Sequence, residues 1–415
     1  MKKINIKEIT CPFCSLLCDD INVIHDDKRY NVHNLKNKEC SKKIEAFNIN
    51  KKSILLPKIG NKISTFKDAI NKSKLLIKAG NEIGILNLGA DVASVRSAIN
   101  LTSQINANFD HINSKYFFGN MNIVQRTGYI ATTLMEVKNR SDVILIFGTK
   151  IFGKVPRLTE KILFPKSSLY IKKSKKKIFL VGQFPEKDIK KIKNNSQVTN
   201  INIKIEQIPE FISLINSKDG INNLNLSDNI LNKVRLSLNK SKYATAIWSS
   251  SDFFKSQVSD IIISSITKFI CDLNNHTRAV CLPISGNLGD STSIQVSTWL
   301  TGFPVRFKGV NGIFKHDREA YDVTNLILNN QIDTAIYINT LSLEKIQLNK
   351  KIKNIVIGHP RTTCSLTPDV FIPVGVPGVD ASGIMFRTDN VVTLPLSPFR
   401  KLNIPSSQQV LDKMV

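Results

Sequence analysis

Short apolar runs alternate with longer amphipathic stretches along most of the chain. Nine of the short runs predict strands: Ile83–Leu88, Val143–Phe147, Ile178–Val181, Ile201–Ile205, Ala244–Trp248, Ala279–Leu282, Thr334–Ile338, Ile355–Ile357 and Val370–Ile372. Between them, Val92–Ile105, Ile208–Ile215 and Phe254–Leu273 place apolar residues near the helical period and predict helices. Strands alternating with helices are what a mainly parallel sheet covered by helices requires, so the expected fold class is α/β. No repeat of fixed period runs through the pattern. The stretches Pro57–Asn61, Pro165–Lys177 and Ser217–Asn232 read as breaks between units, and the Pro- and Ser-rich sequence beyond Pro395 is expected to trail along the surface.

A chain of 415 residues exceeds a single core and implies about two to three domains. The start MKKINIKEITCPFC has no apolar stretch before its first cysteine pair, so it does not read as a secretory signal; no run approaches the ~18 apolar residues of a membrane span. A cytoplasmic protein away from the membrane is the expectation. The net charge of +25 raises the question of nucleic acid. Its distribution argues against that partner, because the lysines are spread along the chain among Asn and Ile; the densest run, Lys172–Lys177, reads as a solvated connection.

Cysteine usage changes the picture most. Cys11, Cys14, Cys18 and Cys40 form a Cys-x2-Cys-x3-Cys set with a fourth member further on, and three thiolates on one short loop closed by a fourth can wrap a four-iron four-sulfur (4Fe-4S) cluster. Four thiolates can equally hold structural zinc, although zinc sites more often use two Cys-x2-Cys pairs and only one is present. Cys271, Cys281 and Cys364 sit in apolar or loop contexts and read as small buried hydrophobes. Gly148-x4-Gly153-Lys154 follows a predicted strand and matches most of a phosphate-binding loop. Val155 stands where magnesium needs a hydroxyl and Pro156 follows, so the motif reads as a glycine turn leaving a strand.

Several local stretches together resemble the B-type subunit of formylmethanofuran dehydrogenase, in the molybdopterin oxidoreductase superfamily. They are Cys11-Pro12-Phe13-Cys14-Ser15-Leu16-Leu17-Cys18-Asp19-Asp20; Gly128-Tyr129 through Thr133-Leu134 with Glu136-Val137-Lys138-Asn139-Arg140; and Gly286-Asn287 with Thr298-Trp299 and Thr301-Gly302-Phe303-Pro304. Asp369-Val370-Phe371-Ile372-Pro373, Gly378, Gly383, Arg387 and Asp389 continue the match, which covers nearly the whole chain. The resemblance implies a four-cysteine cluster domain at 1–58, a discontinuous α/β domain at 59–155 with 330–395, an inserted α/β domain at 156–329 and a tail at 396–415. It also implies that the cofactor-gripping β-barrel of the superfamily is carried on a separate chain.

Active members of this family ligate molybdenum or tungsten through a cysteine or selenocysteine followed by His and Gly. The matching positions here are Tyr116 and Phe117, and no cysteine lies between Cys40 and Cys271. A phenol with an ordinary pKa near ~10 is a poor ligand for a soft metal, which weighs against molybdopterin with molybdenum or tungsten. The family's active-site arginine is replaced in Gly309–Lys315 by Asn311-Gly312, which also fits a tight turn, with Lys315 downstream. Lys42 and Lys43 follow the fourth cysteine, where the superfamily places a basic residue between cluster and pterin; solvated charge explains them equally well. His25 and His33 could lie near the cysteine loop but fit ordinary exposed positions better, and His316 and His359 have no paired ligand at helical spacing.

These departures point to a redox-degenerate B-type subunit of the methylotroph formyltransferase/hydrolase kind. The implied partners are a metal-dependent amidohydrolase subunit, a formyltransferase subunit and a homologue of the C-type subunit. An active dehydrogenase subunit and a metal-stabilised binding module are the alternatives.

Overall fold

The computed structural model describes residues 5–25, 29–33, 35–49, 55–172, 175–193, 197–217, 222–254 and 256–415. Lys173 and Ser174, in the expected basic connection, and 218–221, in the expected polar break, lie outside the described residues. The chain divides into two units, Met1–Ser114 with Asn287–Val415, and Lys115–Gly286.

In the first unit, nine strands form one sheet in the order Ile313–His316, Phe307–Val310, Asn108–His111, Ile83–Gly89, Thr334–Asn339, Lys353–Gly358, Val370–Pro373, Lys58–Ile59, Lys62–Ile63. The five strands from Asn108–His111 to Val370–Pro373 run parallel, and short antiparallel hairpins close both edges. Thr334–Asn339 is buried along its whole length, as expected of a parallel strand covered on both faces. From Ile83–Gly89 the chain winds towards one edge, and from Thr334–Asn339 towards the other. The boundary between these two strands is the sheet's topological switch point, where open α/β sheets place their ligand crevices. An antiparallel sheet, Asn5–Ile9, Ile21–His25 and Tyr30–His33, carries the N-terminus.

The second unit holds a five-stranded, all-parallel sheet in the order Val198–Ile201, Lys177–Val181, Val143–Phe147, Tyr243–Trp248, Arg278–Pro283. Val143–Phe147 is entirely buried at its centre. Helices Ile208–Asn216, Asp228–Asn239 and Ser259–Leu273 pack Phe211, Ile212, Val234, Ile262, Ile266 and Phe269 into one apolar core with Phe147, Phe179 and Trp248. No helix among the described residues is long and apolar enough to cross a membrane.

Several expectations shift. The outermost strand is Val198–Ile201 rather than Ile201–Ile205, because its only neighbour, paired from Val198↔Ile178 to Ile201↔Val181, ends there. Helix Phe254–Leu273 begins at Ser259, after a separate turn of helix at Ser250–Phe253. Pro57–Asn61 contributes the strand Lys58–Ile59, paired between Val370–Pro373 and the outermost Lys62–Ile63, rather than a break between units. Val143–Phe147 joins the second unit's sheet and Phe307–His316 the first unit's, and the two units meet along the chain at 114/115 and 286/287. The segment beyond 395 does not trail along the surface. Ser406 caps a short helix, Ser407–Asp412, that buries Val410 and Leu411; its Ser407 and Asp412 hydrogen-bond Ser94 (2.6 Å) and Ser97 (2.5 Å) of the helix Val92–Gln104.

Candidate functional site

The segment Thr10–Asp20 connects two paired antiparallel strands, so its ends are held together. Within it the Cys11 N–H donates to the Cys18 carbonyl (2.8 Å), and Leu17, in the left-handed region at φ 45°, donates to the Cys14 carbonyl (3.1 Å). This tight winding keeps Cys14 and Cys18 within electrostatic reach of Cys11. Cys40 arrives from the first turn of helix Lys38–Glu45, where its N–H donates to the capping Asn37 side chain (3.2 Å). Cys11 and Cys18 are buried, Cys14 and Cys40 half-buried. Phe13 stacks on Phe47 with 4.3 Å between centroids, and Leu16 and Leu17 shield the loop.

Burial pushes the Cys11 thiol well up, and the neighbouring sulfurs of Cys14, Cys18 and Cys40 push it further. All four predicted ligands therefore share one electrostatic neighbourhood. Among the described residues no group of three or more His, Cys, Asp or Glu is arranged to hold a metal ion. The donor types are those that an iron–sulfur group or zinc takes, and a bound cation would offset the ionisation cost that burial and the neighbouring sulfurs place on Cys11. Such a group takes one thiolate per iron around a shared volume, whereas a lone zinc needs four within ~2.3 Å of one point.

Residues far along the chain brace this loop. Ser15 N–H donates to Asn287 Oδ1 (3.0 Å), and the Ser15 carbonyl accepts from Thr388 N–H (2.9 Å). Thr388 is flanked by Arg387 and Asp389, which form a two-pronged pair at 2.9 and 2.6 Å. Asn287, Arg387 and Asp389 thus collect around the cysteine loop. Lys42 and Lys43 are exposed in the last turn of their helix, as solvated charge would be.

Tyr116 and Phe117 lie in the helix Ser114–Arg126. The Tyr116 ring meets Phe254 edge-on at 5.3 Å, and the Lys115 ammonium lies 5.1 Å from the Tyr116 centroid and 4.9 Å from that of Phe254. Phe117 packs edge-on against Phe118 at 5.4 Å. Aromatic and cation–π contacts occupy the position. In the same unit Cys281 is wholly buried in the core, with its thiol pushed up by burial, and Cys271, expected as a buried hydrophobe, is exposed on a helix surface. Cys364, in the other unit, is half-buried, its thiol pushed up to about 11 by burial. Asn311 (φ 50°) and Gly312 (φ 82°) form the exposed tip of the hairpin Phe307–Val310/Ile313–His316, the two-residue turn that favours Asn-Gly. Lys315 is exposed beside it.

The phosphate-loop-like stretch has an internal occupant. The wholly buried Asp252 carboxylate accepts the N–H groups of Thr149 (2.9 Å) and Lys150 (2.8 Å) through one oxygen and pairs with Lys154 Nζ (2.7 Å) through the other. Lys154 also donates to Ser249 Oγ (2.9 Å) and to Ser251 Oγ. Gly148, at φ 127°, permits this approach; a Cβ there would lie 2.6 Å from Asp252 Oδ2. The backbone donors and lysine that could cradle a phosphate are satisfied by the chain's own carboxylate.

A buried charge cluster has no signature in the sequence. Arg306, 5% exposed and at φ 55°, pairs with Asp322 (2.7 Å) and Asp110 (3.5 Å) and donates to Ser114 Oγ (3.1 Å). Burial, opposed by Arg306, raises the Asp110 carboxyl to about 7. His111 beside it is pushed down to about 4 by burial and His359 to about 3 by burial, Arg400 and Arg361. His25 leans towards Phe399 at 5.9 Å, and His316 bonds the Arg306 carbonyl at 2.8 Å. Only three-dimensional proximity joins Asp110 to Arg306 and Asp322, so no local motif announces them.

These features define a mixed α/β protein with parallel sheets and a braced N-terminal cysteine loop. Its homologues are the B-type subunits of formylmethanofuran dehydrogenases and of a formyltransferase/hydrolase complex. The B-type subunit of tungsten-containing formylmethanofuran dehydrogenase 2 of Methanococcus maripaludis is 23% identical over 411 residues, spanning 93% of this chain and 92% of that one. The protein of the same name from Methanocaldococcus jannaschii is 20% identical over 426 residues, again spanning 93% and 92%. The B-type subunit of the formyltransferase/hydrolase complex Fhc of Methylorubrum extorquens is 20% identical over 322 residues, 77% of this chain and 84% of that one. No family model matches the chain. Among solved structures, a chain of the formyltransferase/hydrolase complex FhcABCD from Methylorubrum extorquens, solved with methylofuran, superposes with a TM-score of 0.70 at 16% identity, covering 86% of this chain and 97% of that chain.

Proposed function

We propose that the chain is the B-type subunit of a cytoplasmic formyltransferase/hydrolase-type complex that releases formate from a formyl group on a methanofuran-type carrier. Its own metal-ligand position is lost and its role is structural. The observation that carries this reading is the occupation of that position by Tyr116, packed on Phe254 under the Lys115 ammonium. The exposed Asn311-Gly312 turn, which offers no cationic fork for a carboxylate, adds support. Hydrolysis would belong to a metal-dependent amidohydrolase partner and carrier transfer to a formyltransferase partner, with a homologue of the C-type subunit completing the assembly.

Cys11, Cys14, Cys18 and Cys40 would hold a 4Fe-4S cluster, with zinc as the alternative occupant. When bound, such a cluster supplies one-electron transfer; in a chain without a partner redox metal it braces the N-terminal sheet. What the residues themselves do is orient and seal the site: Asn37 positions Cys40, Asn287 and Thr388 hold the loop through Ser15, and Phe13, Phe47 and Leu17 exclude water. The second reading, an active dehydrogenase subunit with molybdenum or tungsten held by a pterin, draws its support from that same retained cysteine set.

Affinity purification of the tagged chain from its native host tests the proposal. Co-elution of an amidohydrolase and a formyltransferase, without formate-dependent dye reduction, is the expected result. A preparation that reduces dye with formate contradicts it.

A further inference from the structure

The chain leaving the Cys40 helix is gripped from distant parts of the first unit. Helix Lys38–Glu45 has eight residues, too few to hold its shape alone, so its place is set by what its ends bind. At the near end Asn37 caps the Cys40 N–H. At the far end every carbonyl from Ile44 to Asn48 accepts a hydrogen bond. Ile44 accepts from the Tyr30 hydroxyl (2.8 Å), Glu45 from the Asn48 N–H (3.0 Å) and Phe47 from Arg400 Nη1 (3.0 Å). Arg361 Nη1 donates to the remaining two, Ala46 and Asn48, the latter at 3.3 Å. We propose that Arg361 is a positioning residue for Cys40: by holding the carbonyls of Ala46 and Asn48 it fixes where the fourth sulfur stands relative to the loop that carries Cys11, Cys14 and Cys18.

Arg361 is itself held. It follows the strand Lys353–Gly358, and its N–H donates to Nδ1 of the wholly buried His359 (3.2 Å), whose ring meets Phe47 edge-on at 5.2 Å. Phe47 in turn stacks on Phe13, which lies between Cys11 and Cys14. One turn after a core strand therefore grips the same short segment through a ring and a guanidinium. A cation on carbonyls just past a helix end also meets the negative end of the helix dipole.

The geometry gives this grip leverage. The loop cysteines are held by the loop's own bonds, Cys11 to Cys18 and Leu17 to Cys14, whereas the place of Cys40 is supplied from outside. Cys40 lies six residues before Ala46, about 9 Å along the helix axis. A ~10° swing about the released end would carry Cys40 about 1.6 Å, whereas metal–sulfur distances tolerate about 0.2 Å.

The inference rests on the proposed metal-holding role of the four cysteines, and the test separates the two. It uses the full-length chain with Arg361→Met, which keeps the apolar stem and drops the donors, and Arg361→Lys, which keeps a cation there. Arg361 is exposed, so both variants should retain the parent circular dichroism. In the metal-free chain, well below the urea midpoint, labelling by N-ethylmaleimide is followed at each cysteine by peptide mass spectrometry. Arg361→Met should label Cys40 about 3- to 10-fold faster, the effect of one net hydrogen bond lost, with Cys11 and Cys18 at parent rates. Arg361→Lys should recover part of the difference. After anaerobic reconstitution with iron and sulfide, Arg361→Met should release iron to a ferrous chelator several-fold faster than the parent. Cys40 labelling at the parent rate, an equal rise at all three cysteines, or iron release from the loaded variant at the parent rate overturns the assignment. A parent chain that takes up no iron refutes the cluster reading instead, and the labelling comparison still decides for Arg361.

Discussion

Replacing Asp252 by Ala tests the idea that the phosphate-loop-like turn is filled from within. The substitution removes an acceptor of two backbone N–H groups, at 2.9 and 2.8 Å, and the partner of Lys154 at 2.7 Å. Breaking a buried ion pair from one side costs ~3–5 kcal/mol. Lys154 remains 22% exposed and regains part of its hydration, which places the expected loss at the lower end, about 3 kcal/mol. For a unit of this size that corresponds to roughly 6–12 °C in Tm. Asp252→Asn, which keeps an acceptor oxygen and loses the charge, should cost about 1–2 kcal/mol. Urea unfolding followed by circular dichroism measures both. The emptied cradle of Thr149, Lys150 and Lys154 donors should then accept an external anion, so phosphate at ten times its dissociation constant should return about 1.4 kcal/mol to Asp252→Ala and little to the parent. A loss below about 1 kcal/mol, or equal phosphate stabilisation of both proteins, refutes the reasoning.

Other outcomes follow from the same geometry. Arg400→Met breaks the wholly buried pair with Asp380 (2.6 Å) and releases the Phe47 carbonyl (3.0 Å), so the urea midpoint should fall by an amount equivalent to ~3–5 kcal/mol. Asp110 has a folded-state pKa raised to about 7 from 3.8, so its ionisation opposes folding and stability is lost as pH rises through that interval; Asp110→Asn should flatten this part of a urea-midpoint profile. His111, lowered to about 4, acts oppositely: its contribution is complete above about 6.5 and is lost as pH falls towards 4, a loss that His111→Gln should diminish. Tyr116→Cys should yield no formate-dependent dye reduction, because the ring of Phe254 and the Lys115 cation still fill the neighbourhood; measurable turnover would show a preorganised metal site.

Much of the framework is legible in the sequence because parallel strands buried on both faces leave continuous apolar runs. Val143–Phe147 is buried at all five positions, and its apolar run ends at the observed limits of the strand. The hairpin Phe307–Val310/Ile313–His316 does not announce itself as a pair of strands: as an edge element its residues are buried intermittently, and only Asn311-Gly312 marks it. The unit junctions are hidden for a related reason. Composition marks loops, but sheet membership is decided by which backbone edges meet, and nothing local tells Val143–Phe147 to pair with Tyr243–Trp248. Pro and Ser obscure the C-terminal helix, although Val410, Leu411 and Met414 stand at helical spacing behind the Ser406 cap. At the candidate site, the spacing of Cys11, Cys14, Cys18 and Cys40 is readable, since three of the four lie on one loop. The bracing by Asn287 and Thr388 and the plugging by Asp252 are not, since their partners lie 272, 373 and about 100 residues away in sequence.

Metal analysis of the tagged chain and whatever co-purifies with it, prepared anaerobically from its native host and measured by mass spectrometry per mole of this chain, bears most directly on the proposed loss of the metal-ligand position. The account predicts about four irons, as one 4Fe-4S cluster requires, with molybdenum and tungsten at background. Stoichiometric molybdenum or tungsten, removed by substitutions at Tyr116 or its neighbours, would contradict it.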